Sequence, residues 1–183
     1  MIFEGPCRKG LAVALIGGLW LAACSGSDDG GGGPPTGPSP AIVFTPDRDA
    51  GANSIGMRAG AGSTDSVLQL EIFATQVTNL QAVDFVLLVP NGLLRLDDFE
   101  RGEFIGAGAQ VIVSGGGSNA VTFQILRTTP AAATGSGRIL TIRFTAVGGG
   151  SGRFDFLDPT AEDPFGLVIP GIDWIGGAVQ VVL

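Results

Sequence analysis

The 183 residues contain two thiols, Cys7 and Cys24, one lysine, Lys9, and neither histidine nor tyrosine. Without imidazole there is no Ser-His-Asp or Cys-His arrangement and no histidine metal ligand. Lys9 lies upstream of Cys24, so the rest of the chain has no amine for a Schiff base. Carboxylates are the reactive groups that remain. Asp97-Asp98-x-Glu100 with Glu103, and Asp158 with Glu162-Asp163, are two acidic groups. Such groups can set two carboxyls at glycosidase spacing or ligate calcium through oxygen. Both sit beside turn signals, where acids are ordinarily solvated, and neither has the spaced Asp-x-Asp-x-Asp-Gly of a calcium loop. The sequence therefore predicts no catalytic residue, no metal site and no cofactor.

The position of Cys24 points to a different chemistry. Arg8 and Lys9 precede an uncharged run from Gly10 to Ala23, which is shorter than the roughly 20 apolar residues a membrane-spanning helix needs. A basic start, an apolar middle and small residues at the end are the parts of a secretory signal. The closing Leu21-Ala22-Ala23-Cys24 resembles the lipobox of bacterial lipoproteins, in which the cysteine is acylated and becomes the new N-terminus. That resemblance implies lipid attachment at Cys24, where several acyl chains hold to a membrane as one chain does not. Ser25 follows where an Asp would resemble an inner-membrane retention signal. The expected location is the cell envelope, at the outer membrane or cell surface.

Residues 25–40, SGSDDGGGGPPTGPSP, lack the apolar side chains that could offset the entropy of ordering a fold. Glycine makes this stretch flexible and proline extends it, so it reads as a tether. The expected organisation is a signal peptide over 1–23, the lipidated cysteine and tether over 24–40, and one domain over 41–183. That domain is long enough for a single core. Its sequence has no cysteine and hence no disulfide. The formal net charge of −7 excludes the clustered basic surface that nucleic-acid binding requires.

No window of the domain sustains a helical period; apolar residues recur every second position instead. In VLQLEIFA, Leu68, Leu70, Ile72 and Ala74 share a face, and in VDFVLLV so do Val83, Phe85, Leu87 and Val89. AVTFQIL places Val121, Phe123 and Ile125 together, and ILTIRFTA does the same with Leu140, Ile142, Phe144 and Ala146. Glycine-rich turns separate these runs, at Asn91-Gly92, 114–117, 135–137 and 148–150. Short strands with such punctuation predict an all-β fold, a two-sheet antiparallel sandwich. Residues 46–65 read as a long excursion with one short strand in it.

Four elements, in order, resemble the cohesin domain of cellulosomal scaffold proteins. They are the Leu-rich DFVLLVPNGLLRL (84–96), the turn RGEFI (101–105), GSGRILTIRFTAVGGGSGRFDF (135–156) and DPFGLVIPGIDWIGGAVQV (163–181). Leu88-Val89 stand where the family has a Tyr-Asp corner. The resemblance implies a jelly-roll sandwich of about nine strands. It also implies a non-catalytic module whose partner, in cohesins the calcium-loaded dockerin, docks on the outer face of one sheet.

Asp84 matches a position where cohesins often carry a polar residue that contacts the partner. The outward residues of its strand are Asp84, Val86 and Leu88, and those of the strand expected beside it are Thr122, Gln124 and Leu126. These six form the candidate partner-binding set, since apolar side chains on an outer face suit the centre of an interface. A second reading leaves that face covered by the domain's own segment 46–65. An alternative function is polysaccharide binding, by exposed rings. The chain after the signal keeps one tryptophan, Trp174, with Phe99, Phe104 and Phe165 flanking turns.

Overall fold

Period-two alternation becomes eleven strands in the computed structural model, which describes residues 41–115 and 119–183. Cys24 and the stretches expected to be the signal and the tether lie outside the described residues. The first strands are β1 (Ala41–Pro46), β2 (Ser54–Ala59), β3 (Val67–Leu80), β4 (Ala82–Leu88) and β5 (Leu94–Arg101). There follow β6 (Gln110–Gly115), β7 (Ala120–Leu126), β8 (Ala133–Ala146) and β9 (Gly150–Glu162). The chain closes with β10 (Asp173–Ile175) and β11 (Gly177–Val182), and the described residues contain no helix. Eleven strands replace the expected nine or so. The excursion over 46–65 does contain one short strand, β2.

The strands form two sheets, β1-β11-β9-β4-β7-β6 and β10-β2-β3-β8-β5. Every pairing is antiparallel except the parallel contact of β10 with β2. Between the sheets lie most of the residues that the alternation assigns inward: Leu68, Leu70, Ile72, Val83, Phe85, Leu87, Phe123, Ile125, Leu140, Ile142 and Phe144 are all buried, while Val121 and Ala146 are half-buried. Rings fill the middle. Phe85 stacks on Phe123 at 5.3 Å, Phe144 packs on Phe154 at 5.2 Å, and Phe156 meets Phe85 edge-on at 5.1 Å.

Bulges keep long strands in step with this core. In β3 the buried residues Ala74, Val77 and Leu80 are three apart, a spacing that a regular strand would turn to alternate faces. Each interval holds one left-handed residue, Gln76 (φ 49°) or Asn79 (φ 57°), and one register shift against β8. The freed amides are not orphaned: Gln76 N–H donates to Ser136 Oγ at 2.8 Å and Asn79 N–H to Thr134 Oγ1 at 3.1 Å. Strand β9 uses the same device at Asp158 (φ 49°), where its pairing with β4 shifts between Asp84 and Val86.

Candidate functional site

The six-stranded sheet has β4 near its centre, with β9 on one side and β7, then β6, on the other. Inward residues of β4 and β7 are used by the core, so their alternates must face out. The registers align these in rows. Asp84 lies opposite Gln124 and Val86 opposite Thr122 on β7, while Leu126 lies opposite Ala82 and Leu88 opposite Ala120. The structure thus brings Asp84, Val86, Leu88, Thr122, Gln124 and Leu126 together on one outer face. Asp84, Val86, Leu88 and Thr122 are half-buried, Gln124 is exposed, and Leu126 keeps 48 % of its surface open.

The segment 46–65 does not cover this face. Its first residues, Pro46 to Ala50, stand with Gly56, Arg58, Phe73 and Thr75 of the other sheet around a cavity of about 220 Å³. Arg48 pairs with Asp173 beside that sheet's β10 edge, and Asp47 N–H donates to Gly176 O at 3.1 Å. Later residues fold back on β3, where Gly60 N–H donates to Gln69 O at 2.7 Å.

Two neighbouring strands enlarge the face beyond the six predicted residues. On β6, Ile112 lies opposite Gln124 and is 56 % exposed. On β9, Leu157 lies opposite Val86 and is 46 % exposed, followed by Thr160 opposite Asp84 and Glu162 opposite Ala82. Both leucine and isoleucine sit in alternating runs, VIV at 111–113 and FDFLD at 154–158, whose outward members the pattern also marks. Which strands flank β4 and β7 is a long-range matter, and that is why these residues escape a sequence reading.

At one end of the face, Ala82, Asp84, Gln110, Ile112, Gln124, Leu126 and Glu162 surround an open depression of about 250 Å³. Burial raises the Asp84 pKa above the ordinary carboxylate value, and the nearby Glu162 charge raises it further. Neither carboxylate has an ion-pair partner among the described residues; Arg48, Arg58, Arg95, Arg138 and Arg153 are engaged by other acids. The depression therefore combines apolar walls with uncompensated negative charge.

Some members of the acidic groups of the sequence have structural partners. The Thr145 hydroxyl and, less strongly, Arg95 donate to Asp97 and lower its pKa; the Glu103 pKa is lowered first by a hydrogen bond from its own backbone N–H and then by Arg138, whose Nε donates to it at 3.0 Å. Asp163 Oδ1 accepts the N–H groups of Phe165 at 2.8 Å and Leu167 at 3.0 Å, fixing a turn after β9. Among the described residues no three acidic side chains converge as metal ligands do. Of the candidate sugar-stacking rings, Trp174 lies edge-on against Phe156 at 5.1 Å, Phe99 meets Phe123 at 6.1 Å, and Phe104 is half-buried. Phe99 keeps 36 % of its surface exposed, and Phe165 is the most open of these rings, at 87 %.

These features define a two-sheet β-sandwich that offers a broad, partly apolar sheet face. No family model matches the sequence, and no curated protein matches it. Solved structures do match. A type II cohesin domain from the cellulosome of Acetivibrio cellulolyticus aligns with TM-score 0.62 and 13 % identity over 71 % of this chain and 95 % of that one. A non-cellulosomal cohesin from Archaeoglobus fulgidus aligns with TM-score 0.56 and 13 % identity over 69 % and 89 %. The sixth cohesin of scaffoldin B from A. cellulolyticus, solved in complex with a mutant dockerin, gives TM-score 0.56 and 13 % identity over 70 % and 97 %. The chain has the cohesin fold.

Proposed function

We propose that this chain is a non-catalytic binding module, held at the cell envelope by a lipid on Cys24, whose β9-β4-β7-β6 face docks a protein partner. The observation that carries the reading is the face itself. Val86, Leu88, Leu126, Ile112 and Leu157 point away from a core that is already filled, around two carboxylates that have no ion-pair partner among the described residues. Covering apolar surface there releases water at about 25 cal/mol per Å². Asp84 and Glu162 then set orientation and favour a partner that brings a basic side chain, because charge at an interface secures specificity more reliably than strength. A dockerin-like domain is the first candidate, since a cohesin of the same fold was solved with a dockerin.

The test is a pull-down from the host's secreted and envelope proteins with wild type and Val86→Lys/Leu126→Lys, after both are shown to melt alike. A protein captured by wild type and lost with the double change supports the face. Capture that survives the change places the site elsewhere. Retention on insoluble polysaccharide with no protein captured would favour sugar binding, for which Phe165 supplies one open ring.

A further inference from the structure

A sandwich of two open sheets has four edge strands, here β1 and β6 on one sheet and β10 and β5 on the other. An edge presents unpaired N–H and C=O groups, and proteins blunt it with charge, proline, bulges or shortness. Three of the four are blunted. Strand β5 carries Arg95, Asp97, Asp98, Glu100 and Arg101 and is bulged between Leu96 and Asp98. Strand β10 has three residues, and Asp173 in it is ion-paired to Arg48. Strand β1 is bracketed by Pro40 and Pro46.

Strand β6 has none of these protections. Its sequence, QVIVSG, contains no charge and no proline, and it runs against β7 over all six residues without a register shift. Its side chains are also short of cover. Val111 and Val113 point between the sheets yet stay half-buried, whereas Phe123 and Ile125 on the adjacent strand are closed off. Ile112, on the other face, is more than half exposed.

The order of residues suggests what fits there. About Ile112 the strand reads nearly the same in both directions, with valine on each side and a polar residue, Gln110 or Ser114, beyond. We propose that two copies of this chain associate edge to edge through β6 about a two-fold axis, joining two six-stranded sheets into one of twelve strands. Antiparallel pairing centred on Ile112 sets Ile112 against itself, Val111 against Val113 of the second copy, and Gln110 against Ser114 of the second copy. Such an interface is self-complementary and closes at two subunits. No like charges meet along it, although each chain carries a net charge of −7. A six-residue edge is short beside the roughly 1,000 Å² that a tight specific interface clears, so the association is expected to be weak and concentration-dependent. It places two docking faces side by side, but it does not depend on those faces binding anything.

Sedimentation velocity of the full chain, from about micromolar to about millimolar concentration, reads the association directly. The expected result is a reversible monomer–dimer equilibrium for wild type, weakened at least about tenfold in Ile112→Lys and in Ile112→Asp, because like charges then face each other across the axis. An equimolar mixture of the two variants regains the dimer, since lysine then faces aspartate, and Val43→Lys on the β1 edge leaves it unchanged. Without any variant, hydrogen exchange of the β6 amides slows as wild-type concentration rises. Wild type that stays monomeric with concentration-independent exchange would overturn the proposal. So would a dimer that neither charge variant weakens, or charge variants whose mixture does not associate.

Discussion

Replacing Phe123 with alanine tests the register that creates the candidate face, because Phe123 lies directly between Thr122 and Gln124 on β7. Phe123 has no exposed surface, stacks on Phe85 at 5.3 Å and meets Phe99 edge-on at 6.1 Å. Truncation removes both ring contacts and leaves a cavity, at a cost of about 3–5 kcal/mol for a buried phenylalanine. For a domain near 150 residues each kcal/mol moves the midpoint by about 2–4 °C, so the melt should fall by roughly 6–20 °C. Gln124→Ala, one residue along and exposed, should stay within about 0.5 kcal/mol. Thermal denaturation of the two variants, followed by circular dichroism in the same buffer, compares them directly. Equal losses, or a larger loss at Gln124, would refute the register, since a slip of one residue exchanges the two faces of the whole strand. Thr122, Gln124 and Leu126 would then be core residues, and the docking face would have to be drawn from other positions.

Asp84→Asn should stabilise the domain near pH 7, because the raised pKa means that the folded state disfavours the ionised carboxylate. The folded protein binds its proton more tightly than the unfolded one, so wild type loses stability as pH rises through the raised value, and the advantage of the variant vanishes as pH falls below the ordinary carboxylate range. A melting-temperature difference that is constant with pH, or wild type the more stable at neutrality, would contradict this. Cys24→Ala should give a folded protein without acyl mass that moves from the membrane to the soluble fraction. Identical fractionation of variant and wild type, with no acyl mass on either, would sink the anchoring proposal.

The fold was legible because it is written in a local code. Leu68, Leu70 and Ile72, or Val83, Phe85 and Leu87, need only the pleat to reach one face, and water drives that face inward whichever strands lie beside it. Asp84, Val86 and Leu88 were legible as outward residues for the same reason. Neighbours are not encoded this way. An amphipathic strand shows which side it buries but not which strand it pairs with, because backbone hydrogen bonds are alike at every pairing. The strand expected beside β4 is indeed β7, but only the tertiary structure could fix their register, with Leu126 of one opposite Ala82 of the other, and add Ile112 from β6 and Leu157 from β9 to the same face. It also sent residues 46–50 to the opposite sheet and brought Glu162 close enough to perturb Asp84, from 78 positions further along the chain. The three bulge positions, Gln76, Asn79 and Asp158, break the period-two rule without glycine to announce them. At Gln76 and Asn79 the left-handed backbone keeps Ala74, Val77 and Leu80 in the core, and asparagine and aspartate enter that region more readily than other side chains.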